Sequence, residues 1–175
     1  MVIHPNSKFV RARWFCNTCA GCGNSELSEE LYSKQNCKLI TNIDISENVI
    51  TRMKKKAEQN KMGMIFEVGD VTKMTYSDER FNTVIGKLTF TLFWYISPEN
   101  YPKLGLFVTL KDKGTLDAMM VDEKEDTVEM INSMFQEIER CIKNNGRYII
   151  ITLAQKHISK HLNNYFAKRD GWLIR

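Results

Sequence analysis

The sequence contains no apolar segment of membrane-spanning length. Its most apolar run, "LTFTLFWYI" at residues 88–96, is far shorter than the roughly 20 residues that a transmembrane helix needs. The first residues, "MVIHPNSKFVRARW", also lack a continuous apolar stretch, so a secretory signal peptide is not expected. We therefore predict a protein that does not contact a membrane.

The sequence also lacks a dense block of lysine and arginine. Its net charge of +4 comes from 25 basic and 21 acidic residues, and this mild excess does not predict a nucleic-acid partner. Five cysteines, an odd number, occur without a secretory signal. This favours reduced thiols and a cytoplasmic location.

No complete set of metal ligands is present. Cys16, Cys19 and Cys22 form a C-x-x-C-x-x-C pattern that resembles part of an iron–sulfur motif, but position 26 is Glu26 and not a fourth cysteine. A zinc site needs a second cysteine pair, and Cys37 is single and distant. We predict no metal at these residues.

Two histidines, His157 and His161, stand four residues apart on an expected helix. This spacing places both side chains on one helical face, where they could hold a metal. No acidic or thiol partner lies at a supporting spacing. We therefore expect both histidines to be polar residues that face solvent.

Short apolar strands alternate with amphipathic helices, and internal repeats are absent. Strands are expected at 38–44, 64–70, 80–85 and 147–152, helices at 25–35, 46–59, 126–146 and 155–166, and a final strand from Trp172. This alternation predicts an α/β fold, a three-layer sandwich with a mostly parallel, Rossmann-like sheet. The 175 residues suit a single domain spanning 1–175.

Residue types at the helix ends support these assignments. Ser46 is expected to cap the helix over 46–59. Either Asn24 or Ser25 is expected to cap the helix over 25–35. In the clearest helix, 126–146, Asp126 is expected to cap the start and Gly146 to end it.

A glycine turn precedes the first of these helices. Gly21 and Gly23 allow the backbone to approach a ligand closely, and a helix beginning near Ser25 offers unpaired N–H groups. Asp44 closes the next strand, 21 residues after Gly23, where a carboxylate can accept hydrogen bonds from ribose hydroxyls. This arrangement favours a nucleotide-type ligand over a purely structural turn.

Two ligand classes fit this arrangement, dinucleotides and S-adenosylmethionine. A dinucleotide site usually has a third glycine, but that position holds Glu26. A carboxylate repels a pyrophosphate, whereas it is compatible with a nucleoside that carries a sulfonium and an amino group. The turn therefore favours S-adenosylmethionine.

Several motifs resemble those of class I, seven-β-strand methyltransferases that depend on S-adenosylmethionine. The motifs "GCGNSEL", "NIDIS", "GDVTKMTYSDERFNTVI", "DKGTLDA" and "NNGRYIIITLAQKHI" occur in this order from about residue 20 to 175. Within that class the chain is similar to the methyltransferase-like protein 13 group, the lysine and N-terminal methyltransferases of translation elongation factor 1-alpha.

The resemblance implies a role for each matching residue. Residues implied to contact the cofactor are Gly21, Cys22, Gly23, Asn24 and Ser25 at the methionine part, Asp44 at the ribose, and Ile45, Ser46, Asp70 and Val71 at the adenine. Asp112, in "DKG", is implied to be the catalytic residue beside the transferable methyl group.

The implied reaction is transfer of a methyl group from S-adenosylmethionine to a lysine or N-terminal amine of the elongation factor. In such an in-line displacement, positioning of the two reactants supplies much of the reduction in the activation barrier. Asp112 is expected to orient the acceptor amine. No metal is required. Two alternatives stay open: an inactive interaction module of the same fold, and an NAD-dependent oxidoreductase.

The chain departs from the family pattern in three places. Residues 86–111 separate the fourth family strand from Asp112, either as an aromatic-rich hairpin or lid or, as we favour, as a translated intron. Residues 1–19 form an atypical start, with "RWFCNTCAGCG" in place of a smooth apolar first strand. The last family strand is not expected, so we predict a sheet incomplete at its edges and a truncated or aberrant form.

Overall fold

A computed structural model describes residues 2–5, 18–86, 115–152 and 155–174. The strands are β1 (Val2–Pro5), β2 (Thr18–Ala20), β3 (Thr41–Asp44), β4 (Ile65–Val68), β5 (Phe81–Gly86), β6 (Ile142–Ile150) and β7 (Trp172–Ile174). The helices are α1 (Leu27–Lys34), α2 (Glu47–Gln59), α3 (Thr115–Met119), α4 (Glu125–Cys141) and α5 (Lys156–Phe166).

The described strands form one sheet of seven in the order β4-β3-β2-β5-β6-β1-β7. Strands β2 to β6 run parallel to one another, whereas β1 lies antiparallel between β6 and β7. Val2–Pro5 therefore fills a position inside the sheet and not at its edge. The strands at the two edges are short, with four residues in β4 and three in β7.

Two apolar clusters lie on opposite faces of the sheet. Neighbouring residues of one strand belong to different clusters, as Val84 and Ile85 of β5 do, because successive strand residues point to opposite faces. Helices α1 and α2 pack in the cluster of Ile85, and α3, α4 and α5 pack in that of Val84. The predicted α/β three-layer, Rossmann-like fold is therefore confirmed.

Local sequence explains α2 well. The hydroxyl of Ser46 accepts a hydrogen bond of 3.4 Å from the backbone N–H of Val49, as expected for a cap. Ile50, Met53 and Ala57 recur at helical spacing and are buried. The helix therefore begins directly after the predicted cap residue, Ser46, and buries one apolar face.

The predicted ends of α4 were wrong. The helix ends at Cys141 and not at Gly146, and its N-cap residue is Lys124 rather than Asp126. Gly146 lies inside β6, where an added Cβ would come within 2.8 Å of the backbone oxygen of Lys143 and 2.9 Å of that of Asn82 on β5. The glycine thus permits two strands to approach closely, which its position in the sequence did not show.

The expectation for the two histidines was also wrong, because both are half-buried on α5. Nε2 of His157 lies 3.1 Å from the backbone oxygen of Met120, and Nε2 of His161 lies 2.9 Å from Oδ1 of Asn132. Each ring therefore joins α5 to a neighbouring segment. Among the residues that the structure describes, no group of three or more His, Cys, Asp and Glu side chains is placed to hold a metal.

The two atypical segments are described only in part. Strand β2, at Thr18–Ala20, has three residues although it lies in the interior of the sheet. Gly86 ends β5, whereas residues 6–17 and 87–114, with most of the proposed insertion at 86–111, lie outside the described residues. Within the described ranges, no helix combines the length and apolar character needed to span a membrane.

Candidate functional site

The glycine turn lies at the carboxyl end of β2, in the interior of the sheet. Gly21 and Gly23 both have positive φ, 66° and 51°, a conformation that strains residues with a Cβ. The N–H of Cys22 donates to the backbone oxygen of Ile43 at 2.9 Å, which ties the turn to β3. A Cβ at Gly23 would meet no atom of the described residues within 4 Å, so on this side the turn borders open space within the described part of the chain.

The carboxylate of Asp44 lies directly against this turn. Its Oδ2 accepts a hydrogen bond of 2.8 Å from the N–H of Gly23, and its Oδ1 accepts one of 2.9 Å from the N–H of Ser46. Each carboxylate oxygen can accept a further hydrogen bond. Asp44 is half-buried and thus keeps one side open to a ligand while two backbone donors fix its orientation.

The residues between the turn and α1 divide into structural and exposed groups. Ser25 is buried, and its hydroxyl accepts a hydrogen bond of 3.0 Å from the N–H of Leu27. Asn24 and Glu26 are exposed, and Lys56 lies 3.4 Å from Glu26. Ser25 therefore shapes the start of α1, while Asn24 is the side chain available to a ligand.

The predicted adenine side lies at the neighbouring strand ends. Ile45 is 75% exposed beside Asp44, and this branched apolar side chain can pack against one face of a base. The N–H of Gly69 donates to the backbone oxygen of Asp44 at 3.0 Å. This contact brings Asp70 to the same edge of the sheet as Asp44.

Asp70 opens a tight turn. Its Oδ1 accepts hydrogen bonds from the N–H of Thr72 at 2.8 Å and from its hydroxyl at 2.7 Å. The side chains of Val71 and Cys22 are buried, 8% and 4% exposed, so neither side chain is open to a ligand.

The structure thus brings together three of the predicted groups at one edge: residues 21–25, residues 44–46 and residues 70–71. The predicted catalytic residue, Asp112, lies outside the described residues, and its role stays a prediction.

Sequence reasoning missed one polar pair at the same edge. The hydroxyl of Thr152 lies 2.9 Å from Oδ2 of Asp117, where the chain leaves β6. The N–H of Ile151 donates to the backbone oxygen of Gly86 at 3.0 Å, so this pair stands beyond the carboxyl ends of β5 and β6. The motif "DKGTLDA" contains Asp117, but its partner could not be found without the fold.

Together these features define a class of protein. A parallel α/β sheet with a glycine turn, an acid at the end of the next strand and an exposed apolar side chain beside it is a Rossmann-like nucleotide-type binding domain. The family is more specific: residues 20–171 match the family model described as "Methyltransferase domain". The chain belongs to this methyltransferase domain family.

Curated relatives agree with this assignment. The chain is 36% identical to "eEF1A lysine and N-terminal methyltransferase" of Xenopus laevis and 38% identical to the protein of that name from Homo sapiens, over 155 residues in each case. These matches cover 89% of this chain but 18% of each relative. The chain therefore spans less than a fifth of the length of these relatives.

Solved structures share the fold. A SAM-dependent methyltransferase from Methanosarcina mazei superposes with a TM-score of 0.54 at 16% identity, covering 86% of this chain and 58% of the other. An S-adenosylmethionine-dependent methyltransferase from Clostridium acetobutylicum gives 0.53 at 13% identity, covering 77% and 41%. At these identities the likeness concerns the fold alone.

Proposed function

We propose that this chain is an S-adenosylmethionine-dependent protein methyltransferase domain that acts on a lysine or N-terminal amine of translation elongation factor 1-alpha. The observation that carries the cofactor assignment is the pair of contacts between Asp44 and the backbone of Gly23 and Ser46. The names of the relatives at 36% and 38% identity support the acceptor.

The residues at the edge of the sheet fit this cofactor. The positive φ of Gly23 and the open space at its Cβ position leave room for a ligand close to the backbone. Asp44 presents its carboxylate to a ribose, and the exposed Ile45 presents an apolar surface to an adenine. The exposed carboxylate of Asp70 is placed to accept a hydrogen bond from the exocyclic amine of the adenine.

When bound, S-adenosylmethionine supplies an activated methyl group on a sulfonium. The protein's share of the reaction is binding, orientation and exclusion of water. We assign the orientation of the acceptor amine to Asp112, as the family motif implies. The acceptor must be neutral to attack, and a carboxylate that accepts one of its hydrogens favours a productive orientation.

The acid at position 26 argues against a dinucleotide. Glu26 is exposed at the third position of the glycine pattern, where a pyrophosphate would lie, and Lys56 at 3.4 Å neutralises it only in part. Charge repulsion at this range weakens the binding of a pyrophosphate. We further propose a cytoplasmic location, since the five cysteines are an odd number and cannot all pair within one chain.

Two measurements test the proposal. Thermal unfolding is followed in the presence of S-adenosylmethionine, S-adenosylhomocysteine or NAD. We expect the first two to raise the unfolding midpoint and NAD to leave it unchanged. Transfer of labelled methyl groups to purified elongation factor 1-alpha is then measured. Stabilisation without transfer would indicate a binding module that has lost activity, and stabilisation by NAD alone would overturn the cofactor assignment.

A further inference from the structure

A half-buried ion pair on α4, between Glu137 and Arg140, contacts the loop that follows β4. This loop, residues 70–80, starts at the proposed adenine site and ends where β5 begins. Arg140 uses all five of its N–H donors within this region. Its partners are Glu137 through Nε and Nη2, the backbone oxygens of Met74 and Tyr76, and the carboxylate of Asp78.

Glu137 also contacts the loop directly, as a hydrogen-bond acceptor. Its Oε2 accepts a hydrogen bond of 2.7 Å from the N–H of Met74, while Nη2 of Arg140 donates to the oxygen of Met74 at 2.9 Å. Both backbone groups of Met74 are therefore held by one ion pair, whose shortest distance is 2.7 Å. Burial of the Met74 side chain, 7% exposed, adds an apolar anchor at the same residue.

The turn that precedes Met74 carries Asp70. The N–H of Lys73 donates to the backbone oxygen of Asp70 at 3.1 Å, and Thr72 donates twice to its carboxylate. The turn closes on itself, and its position relative to β3 is set by the buried side chain of Val71 and by the contacts at its two ends. One end is Gly69, bonded to Asp44, and the other is Met74.

We propose that Glu137 and Arg140 are positioning residues for cofactor binding, because by holding Met74 they keep Asp70 and the backbone of Val71 where the adenine is bound. This inference rests on the proposed function. Neither residue touches the site itself. Their effect passes through the residues of one turn, Asp70 to Lys73, to which Met74 is directly joined.

The partial burial of the ion pair and the number of its contacts also suit it to hold the loop in place. The side chains of Arg140 and Glu137 are 31% and 21% exposed. Arg140 donates three hydrogen bonds to the carboxylates of Glu137 and Asp78 and two to backbone oxygens. Networks of this kind hold a loop more firmly than a single surface ion pair. A loop held in this way is ordered before the ligand binds.

The test compares affinity for S-adenosylhomocysteine by calorimetry in matched variants. We expect Arg140→Ala and Glu137→Ala to bind about fivefold to tenfold more weakly than the parent. Glu137→Gln keeps an oxygen for the N–H of Met74 and should recover most of the affinity. The control is Arg169→Ala, which removes a contact to Glu139 on the same helix at 3.3 Å and touches no residue of the loop.

Equal losses in Arg140→Ala and Arg169→Ala would overturn the inference, since they would reflect general destabilisation. A second readout does not need the ligand: amide hydrogen exchange at Thr72, Lys73 and Met74 should be at least about tenfold faster in Arg140→Ala. Unchanged exchange overturns the inference. If the parent protein does not bind S-adenosylhomocysteine, the proposed function fails, and the exchange measurement still decides whether the ion pair holds the turn.

Discussion

The backbone N–H of Gly23 donates a hydrogen bond of 2.8 Å to Oδ2 of Asp44, although 21 residues separate the two along the chain. This bond joins the turn after β2 to the end of β3, its neighbour in the sheet. The acid therefore contributes to the shape of the site as well as to the binding of a ligand. Substitutions at these positions can separate the two roles.

Replacing Asp44 with Asn should abolish cofactor binding and weaken the fold. A carboxamide has one acceptor oxygen, so its NH₂ group would face the N–H of either Gly23 or Ser46. An unpaired donor of this kind costs about 1–3 kcal/mol of unfolding free energy. Urea denaturation measures this cost, and thermal unfolding with S-adenosylhomocysteine measures binding.

Asp70→Asn is the matched control for that experiment. The contacts of Asp70 within its turn all go to Oδ1, so the amide can replace Oδ2 without facing a donor in the described turn. We expect little change in stability and only a partial loss of binding. A full ligand-induced shift in Asp44→Asn would contradict the assignment of this acid to the ribose.

Gly23→Ala should impair binding more than it impairs folding. Positive φ in a residue with a Cβ costs about 1 kcal/mol, and the added methyl group would meet no protein atom within 4 Å. The methyl group would instead occupy the space of the ligand. We expect a small fall in the unfolding midpoint and loss of the shift produced by S-adenosylhomocysteine.

Gly171→Ala provides the comparison for Gly23→Ala. Gly171 also has positive φ, 89°, with nothing within 4 Å of its Cβ position, but it lies just before β7 at the far edge of the sheet. It should show a similar loss of stability with normal binding. If both variants bind the ligand normally, the glycine turn does not border the cofactor.

Glu137 should make the stability of the protein depend on acid pH. Hydrogen bonding by Arg140, and to a lesser degree by the N–H of Met74, lowers the pKa of Glu137, against opposing effects of burial and the charge of Asp78. The folded state therefore binds a proton at Glu137 less readily than the unfolded state does. The stability that the ionised Glu137 contributes is fully present above the ordinary pKa of the carboxyl group, and it is lost as the pH falls through the lower pKa of the folded state.

Urea denaturation of the parent and of Glu137→Gln across pH tests this linkage. The difference in unfolding free energy between them should stay constant from about pH 7.5 to pH 5.5 and should shrink below about pH 4.5. A difference that grows on acidification would show that the ion pair does not favour the ionised carboxylate.

Phe135→Ala should strongly destabilise the face of the sheet covered by α4 and α5. The ring of Phe135 is fully buried and lies 4.8 Å from that of Tyr165 and 5.1 Å from that of Phe166, between centroids. Removing a buried aromatic ring costs about 3–5 kcal/mol, which chemical denaturation measures directly. Met130→Ala, at a 39% exposed position on the same helix, should change stability by less than about 1 kcal/mol.

Local chemistry made much of the fold predictable from sequence. The cap at Ser46, the apolar spacing of Ile50, Met53 and Ala57, and the glycine turn before α1 all act over one or two turns of chain. Alternation of such segments implies a parallel sheet, and in a parallel sheet the carboxyl ends of neighbouring strands meet at one edge. The proximity of Gly23 and Asp44 therefore follows from their order along the chain.

Features that depend on contacts between distant segments could not be predicted in this way. Gly146 has the residue type of a helix end, yet it lies inside β6, which pairs with the distant strand β5. The insertion of β1 between β6 and β7, and the ion pair that joins Glu137 and Arg140 to Met74, likewise arise between segments 60 or more residues apart.

The sequence by itself determined the class of fold, the order of its elements and the two ends of the proposed cofactor site, because each depends on side-chain preferences within a few residues. The tertiary structure alone decided where α4 ends, which segment fills the sheet beside β6, and what holds the turn at Asp70 in place. These features depend on which segments pack together, and pairing energies over such separations are not encoded in any short stretch of chain.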